Sequence, residues 1–233
     1  MPPKETLRAP ALDARLAAAA SYVRRGGVCA DIGCDHGKLC AYLAAQGICR
    51  RVIACDVRPA PLERARDTLS RAGVLDRADL RLGDGLSIVR PGEADSIVIA
   101  GMSGVTTAGI LKAAPQFWRE GTRFILVPAT KHGVLRDFLY RNGFFVLGET
   151  PVRAAGRSYT VLCAEYAGAA HVPDLWECAV GKAAETHSKE AAAYLETVAA
   201  HCEKYARGAE GPLAAQVLEL ARRIREEIAS WEL

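Results

Sequence analysis

The stretch GVCADIGCDHGKLCAYLAAQG, Gly27 to Gly47, constrains the fold of this chain more than any other. A short apolar run reads as a strand, a glycine-containing turn follows it, and an amphipathic run closed by Gly47 reads as a helix. The same unit then recurs. RVIACDV is a second strand, followed by APLERARDTLSRAG, where Pro61 suits a first helical turn and Gly73 a helix end. ADLRLGDG, ADSIVIAGM and TRFILVP supply three more strands, KHGVLRDFLYRNG an amphipathic helix, and FFVLGETPVR with RSYTVLCAEY a closing strand pair. Alternation of this kind predicts an α/β fold built on a largely parallel, doubly wound sheet, with ligands at the carboxyl ends of its strands.

From about Val172 the pattern changes. Leu213, Val217, Leu220, Ile224, Ile228 and Trp231 recur every three or four residues, as do Leu195, Val198, Cys202 and Tyr205 before them, and GAEGP separates the two stretches. Two helices pairing antiparallel are expected, which divides the chain into a sheet domain over 1–170 and a helical hairpin over 171–233. Charge divides it similarly. Residues 1–167 carry 23 Lys/Arg against 16 Asp/Glu, and residues 168–233 carry 7 against 11. A basic first part suits a polyanionic partner, and equally an ordinary solvated surface. The apolar runs are too short to cross a bilayer and MPPKETLRAP lacks an apolar signal segment, so a cytoplasmic protein without membrane contact is expected. The eight cysteines include no C-x-x-C pair and read as small reduced core residues. Cys34, Asp35 and His36 are adjacent and converge poorly on one ion, so no metal is expected. The oligomeric state is left open, a monomer being one of the states the sequence allows.

The turn itself reads Asp31-x-Gly33-x-Asp35-x-Gly37. A dinucleotide site has a glycine where Asp35 stands, because backbone must approach a pyrophosphate there. A carboxylate at that place repels phosphate and favours a cationic cofactor. S-adenosylmethionine, with an amino group and a sulfonium, fits better than NAD. Asp56 ends the second strand, where a carboxylate can accept from both ribose hydroxyls. Asp84 in GDG, Gly83 to Gly85, can accept from an adenine amine, and AGMSG, Ala100 to Gly104, offers small residues that let cofactor and substrate lie close. Four such features at successive strand ends point to a class I methyltransferase. Asp35 read alone is also a candidate N-cap for a helix starting near His36.

ADIGCDHGKL, RLGDGL, GEADSIVIAGMSG, LRDFL and GRSYTVLCAE together resemble the tRNA (adenine(22)-N1)-methyltransferases, the TrmK family, from about Leu12 to Tyr166. The resemblance implies a Rossmann-like class I methyltransferase sheet domain with a C-terminal helical hairpin, S-adenosyl-L-methionine as cofactor and tRNA as partner. Asp31, Gly33, Cys34, Asp35, Gly37, Asp56, Val57, Gly83, Asp84, Gly85, Ala100, Gly101 and Met102 are then cofactor residues, Asp35 and His36 catalytic, and Arg58, Lys131, Arg136 and Tyr159 substrate contacts. Among further arginines, Arg153 and Arg157 are candidates to track phosphates. Five positions depart from the family pattern: Val127 and Ala129 replace a Gln and an Asn around Pro128, Ser103 a Gly, Thr160 a Glu, and Lys182 a Pro.

The chemistry implied is methyl transfer to N1 of an adenine in the D-loop region, at position 22. N1 keeps its lone pair at neutral pH, so orientation carries most of the catalysis. The product ring is cationic, and a carboxylate at Asp35 stabilises that charge, with His36 placing base or carboxylate. The Asn/Asp-Pro-Pro-aromatic clamp expected for exocyclic amines is missing, as suits a ring nitrogen. Another RNA or a small molecule as acceptor, or a non-catalytic RNA-binding module, are the competing readings.

Overall fold

The computed structural model describes residues 8–232. Residues 1–7, part of the stretch read as lacking an apolar signal segment, lie outside the described residues, as does residue 233. Helix α1 (Ala14–Tyr22) precedes strand β1 (Val28–Ile32), and the unit continues as α2 (Lys38–Ala45), β2 (Arg51–Asp56), α3 (Pro59–Arg71) and β3 (Ala78–Leu82). Then come β4 (Ser96–Ala100), α4 (Gly104–Lys112), β5 (Arg123–Val127), α5 (His132–Arg141), β6 (Phe144–Ala154) and β7 (Arg157–Tyr166). The chain ends in α6 (Leu175–Ala179), α7 (Lys189–Arg207) and α8 (Pro212–Ala229).

The seven strands form one sheet in the order β3-β2-β1-β4-β5-β7-β6. Strands β1 to β5 pair in parallel, while β7 runs antiparallel to both β5 and β6. The chain winds outward from β1 through β2 to β3, then restarts on the other side at β4. The strand order thus reverses between β1 and β4, which leaves a crevice at their carboxyl ends. Every residue of β1 is buried, as a central parallel strand with both faces covered requires. Alternation sends Cys29 toward the layer of α1, α2 and α3, and sends Val28, Ala30 and Ile32 toward that of α4 and α5. Asp31 follows Cys29. A polar residue is thereby carried into the first apolar layer, just at the strand tip.

The hairpin has its own apolar core of Val180, Tyr194, Leu195, Leu220 and Ile224. Tyr205 and Leu213 were expected on that seam, yet lie 49% and 48% exposed where α7 and α8 turn back. Helix α6 is not evident in the apolar periodicity; it is set by a capping box between Asp174 and Glu177.

One buried ion pair fastens hairpin to sheet. Arg136 on α5 and Glu149 on β6 both have fully buried side chains. All five guanidinium N–H groups find acceptors. Nε and Nη2 donate to the two Glu149 oxygens at 2.9 and 2.7 Å, Nη2 also to the Tyr194 hydroxyl at 3.0 Å, and Nη1 to the carbonyls of Cys178 and Ala179 at 3.0 and 2.8 Å. Thr160 adds a donated bond to Glu149 at 3.2 Å. Gly181, at φ +57°, lies against the pair so closely that a Cβ would collide with both side chains. The expectation that Arg136 touches substrate is therefore corrected: a guanidinium sealed from solvent and fully engaged has no donor left for RNA. Arg136→Met should destabilise the protein by about 3–5 kcal/mol, because it strands the Glu149 charge. Urea unfolding checks this, and a loss below about 1 kcal/mol contradicts the assignment.

Candidate active site at the strand tips

The turn after β1 is wound by its residue types. Gly33, Asp35 and Gly37 all have positive φ, at 77°, 48° and 63°, and the amides of Gly33 and Cys34 both donate to the Cys55 carbonyl on β2 at 2.8 and 2.9 Å. A Cβ on Gly33 would lie 2.5 Å from the Met102 methyl group, so glycine there lets the loop after β4 close over the turn. Helix α2 begins at Lys38 with Gly37 as its N-cap, and no side chain caps it. Asp35 is thus not the cap. It occupies left-handed backbone, tolerable for Asp among non-glycine residues, and its carboxylate points outward, 58% exposed, 3.3 Å from Arg64 Nη2 and 3.4 Å from His36 Nε2.

Two cavities meet at this turn and share Gly33, Asp35, Ala100 and Gly101. The first, about 280 Å³, reaches down to Asp31 between Arg15, Leu16, Cys34, His36 and Val127. Asp31 is 4% exposed, and the one hydrogen-bond partner of its carboxylate among the described residues is the Cys40 thiol, at 3.7 Å. Burial pushes its carboxyl up to about 7, with the Cys40 thiol opposing and the neighbouring Asp56 adding to the rise. A carboxylate placed like this is poised for a cation.

The second cavity, about 530 Å³, is lined by Asp56, Val57, Arg58, Gly83, Asp84, Gly85 and Met102. Asp56 is 5% exposed and accepts from the Arg58 amide at 3.0 Å and the Asp35 amide at 3.4 Å, so its carboxylate is held at the rim in one orientation. Gly83 is fixed by donating to the Asp56 carbonyl at 3.0 Å, and a Cβ there would run into Ile88. Gly101, at φ +82°, has open space where its Cβ would stand, so its face belongs to the cavity. Ser103, the departure from the family glycine, caps α4 by accepting from the Thr106 amide at 3.1 Å.

Two further expectations change in the structure. Gly37 lines neither cavity; a Cβ on it would meet Ala65 at 2.7 Å, so it serves the packing of α2 on α3. Tyr159 is 8% exposed and lies beneath Arg15, whose guanidinium sits 5.0 Å from its ring centroid, so it supports a cavity wall and does not meet the substrate. Lys131, expected to contact substrate, lines a separate cleft and neither of these two cavities. Arg15 was missed, since a lone arginine on a helix before β1 carries no motif. In the fold, Asp13 caps α1 and holds Arg15 Nη2 at 2.7 Å, while Arg15 Nε is buried beside the first cavity and has no partner among the described residues. Asp31 and Arg15 thus set a carboxylate and a guanidinium on one small cavity. Among the described residues no group of three or more His, Cys, Asp and Glu is placed to hold a metal ion, and no helix is long and apolar enough to cross a membrane.

Comparisons with known proteins agree with this geometry. The tRNA (adenine(22)-N(1))-methyltransferase of Bacillus subtilis (strain 168) is 34% identical over 154 residues, which make up 66% of this chain and 65% of that relative's length. The crystal structure of the B. subtilis tRNA methyltransferase TrmK superposes with a TM-score of 0.79 at 27% identity, covering 94% of this chain and 99% of that one. M. capricolum TrmK, solved with the cofactor product S-adenosyl-homocysteine, shares the fold at a TM-score of 0.76 and 21% identity, over 94% of this chain and 98% of its own. The family described as "Methyltransferase domain" matches residues 12–162, the span that contains β1 to β5, the turn and both cavities. The chain belongs to that methyltransferase domain family.

Proposed function

We propose that this protein transfers a methyl group from S-adenosylmethionine to N1 of an adenine in tRNA, at position 22. The observation that carries the reading is the buried Asp31 carboxylate, without a cationic partner among the described residues, on a cavity that shares Gly33, Asp35, Ala100 and Gly101 with the one lined by Asp56. The 34% identity to the B. subtilis enzyme supports the choice of base and RNA. We take residues 1–170 as the catalytic unit and 171–233 as the hairpin that helps orient the RNA. Six of the eight free cysteines are buried, which suits a reducing cytoplasm.

The residues present fit the cofactor. Asp31 suits its ammonium group, Arg15 its carboxylate, Asp56 the ribose hydroxyls and Asp84 the adenine amine. When bound, S-adenosylmethionine supplies an electrophilic methyl group on a sulfonium. The protein's own work is placement and charge. Gly33 and Gly101 leave the junction of the cavities free of side chains, so the acceptor base can come close there. Adenine N1 lies on the Watson-Crick edge, so the base must be unpaired or turned out before it enters. As N1 is alkylated the ring becomes cationic. Asp35, which lines both cavities, faces that charge, with Arg64 donating to one of its oxygens and His36 beside the other.

Incubation with unmodified tRNA and labelled cofactor should give 1-methyladenosine on nucleoside analysis, and none when the target adenine is replaced by guanine. A different methylated nucleoside, or labelled product from the guanine transcript, contradicts the assigned base. Asp35→Asn should lower kcat at least ~100-fold while cofactor affinity is kept. Near wild-type turnover removes Asp35 from the chemistry. Arg15→Leu should weaken cofactor binding about tenfold, read by calorimetry with S-adenosylhomocysteine. Unaltered affinity removes Arg15 from the site.

A further inference from the structure

A third cleft, about 780 Å³, opens between the sheet and the hairpin. Its walls are the Ala129–His132 connection after β5, the turn between β6 and β7, and the face of α7 that carries Ala193, Thr197 and His201. Five of its lining residues are basic types, Lys131, His132, Arg153, Arg157 and His201, and none is acidic. That composition runs against its surroundings, because residues 168–233 carry 11 Asp/Glu against 7 Lys/Arg. Burial, followed by the nearby Arg136 charge, holds the His132 imidazole down to about 4, so it is neutral near pH 7. The positive charge therefore rests on Lys131, Arg153 and Arg157. All three side chains belong to exposed residues, and among the described residues none of them has a carboxylate within 4.0 Å. Three free cations around one concave surface make an anion site.

The cleft is tied to the active site by backbone. Ser103 and Thr130 form a parallel bridge, the Ala129 amide donates to the Met102 carbonyl at 2.8 Å, and the Gly104 amide donates to the Thr130 carbonyl at 2.7 Å. Gly104 leaves no room for a Cβ against the Lys131 carbonyl, so the two loops are in close contact. Lys131 is itself held in left-handed backbone at φ 59°. The floor of the cleft and the loop that borders the cofactor cavity are thus one continuous piece. The far wall is fixed as well, because the Arg136–Glu149–Tyr194 network pins α7 to the sheet.

We propose that this cleft is the seat of the RNA backbone next to the target nucleotide, with Lys131, Arg153 and Arg157 contacting successive phosphodiesters and α7 as the opposing wall. The proposal rests on the reading of this protein as an RNA methyltransferase, and it assigns the hairpin a defined share of the substrate site. A phosphodiester chain fits the features better than a protein segment does: the charges are of one sign, unpaired, spread along a groove and mounted on rigid backbone.

The full chain carrying Arg153→Ala and Arg157→Ala, and separately Thr197→Glu on the α7 wall, tests this by tRNA binding at several KCl concentrations. The double variant should bind tRNA about tenfold more weakly at moderate salt, and its slope of log affinity against log salt should be shallower by about 1.5–2, as for two lost phosphate contacts. Thr197→Glu should weaken binding by placing a carboxylate among the phosphates. Affinity for S-adenosylhomocysteine should stay the same in both. If tRNA affinity and salt slope match the wild type in both variants while the wild type still forms 1-methyladenosine, the cleft proposal is overturned and the function stands. If the slope falls as expected but no 1-methyladenosine is formed even by the wild type, the cleft stands as an RNA site and the assigned reaction falls.

Discussion

The site depends on a buried carboxylate that no cation pairs with among the described residues. Asp31 stands one residue before the end of a central parallel strand, and alternation turns its carboxylate into an apolar layer, where the residue is 4% exposed and the carboxylate's one hydrogen-bond partner among the described residues is a thiol. Asp56 stands on the neighbouring strand tip and raises it further. Two carboxylates so placed repel each other and any phosphate, and a cation brought between them relieves both. The same fact explains why the turn abandons the second glycine of a dinucleotide site. With no pyrophosphate to cradle, Asp35 is free to carry a side chain at the point where the cavities join.

Room for that side chain comes from the backbone. Asp35 sits at φ 48°, a conformation that costs a non-glycine residue roughly 1–2 kcal/mol, and such strain persists where surrounding structure fixes it. Here the Gly33 and Cys34 amides on the Cys55 carbonyl do the fixing, while Gly33 and Gly101 remove Cβ atoms from the junction. Strain and empty space coincide at the place assigned to the chemistry. The ion pair of Arg136 and Glu149 performs the complementary task at a distance, holding the hairpin in one position relative to the strand tips.

Much of this was legible in the sequence, because strand and helix periodicities are strong where apolar faces are continuous. The five parallel strands, the closing pair and the two long helices fall where the patterns place them. What the sequence hid are residues whose role depends on a partner remote in the chain. Arg136 looks like a solvated position of an amphipathic helix, and only Glu149 and Tyr194, 13 and 58 residues away, explain its burial. Tyr159 falls on the buried side of β7, and Arg15 reaches the site only because α1 packs across β5, β6 and β7. Gly37 sits in the motif yet serves helix packing, which spacing alone does not separate from ligand contact. Two departures from the family pattern have structural work here, Ser103 as a helix cap and Thr160 as a donor to Glu149.

The central claim, that a desolvated carboxylate awaits a cationic methyl donor, is tested most directly by counting protons on binding. With its carboxyl raised to about 7, Asp31 is mostly protonated in the free protein at lower pH, and a cation requires it ionised. Calorimetry of S-adenosylhomocysteine binding at about pH 6, in buffers of different ionisation enthalpy, should show close to one proton released by the wild type and none by Asp31→Asn, with affinity of the wild type rising toward pH 7. Equal proton counts in the two proteins, or an affinity that ignores pH over this range, would contradict the account.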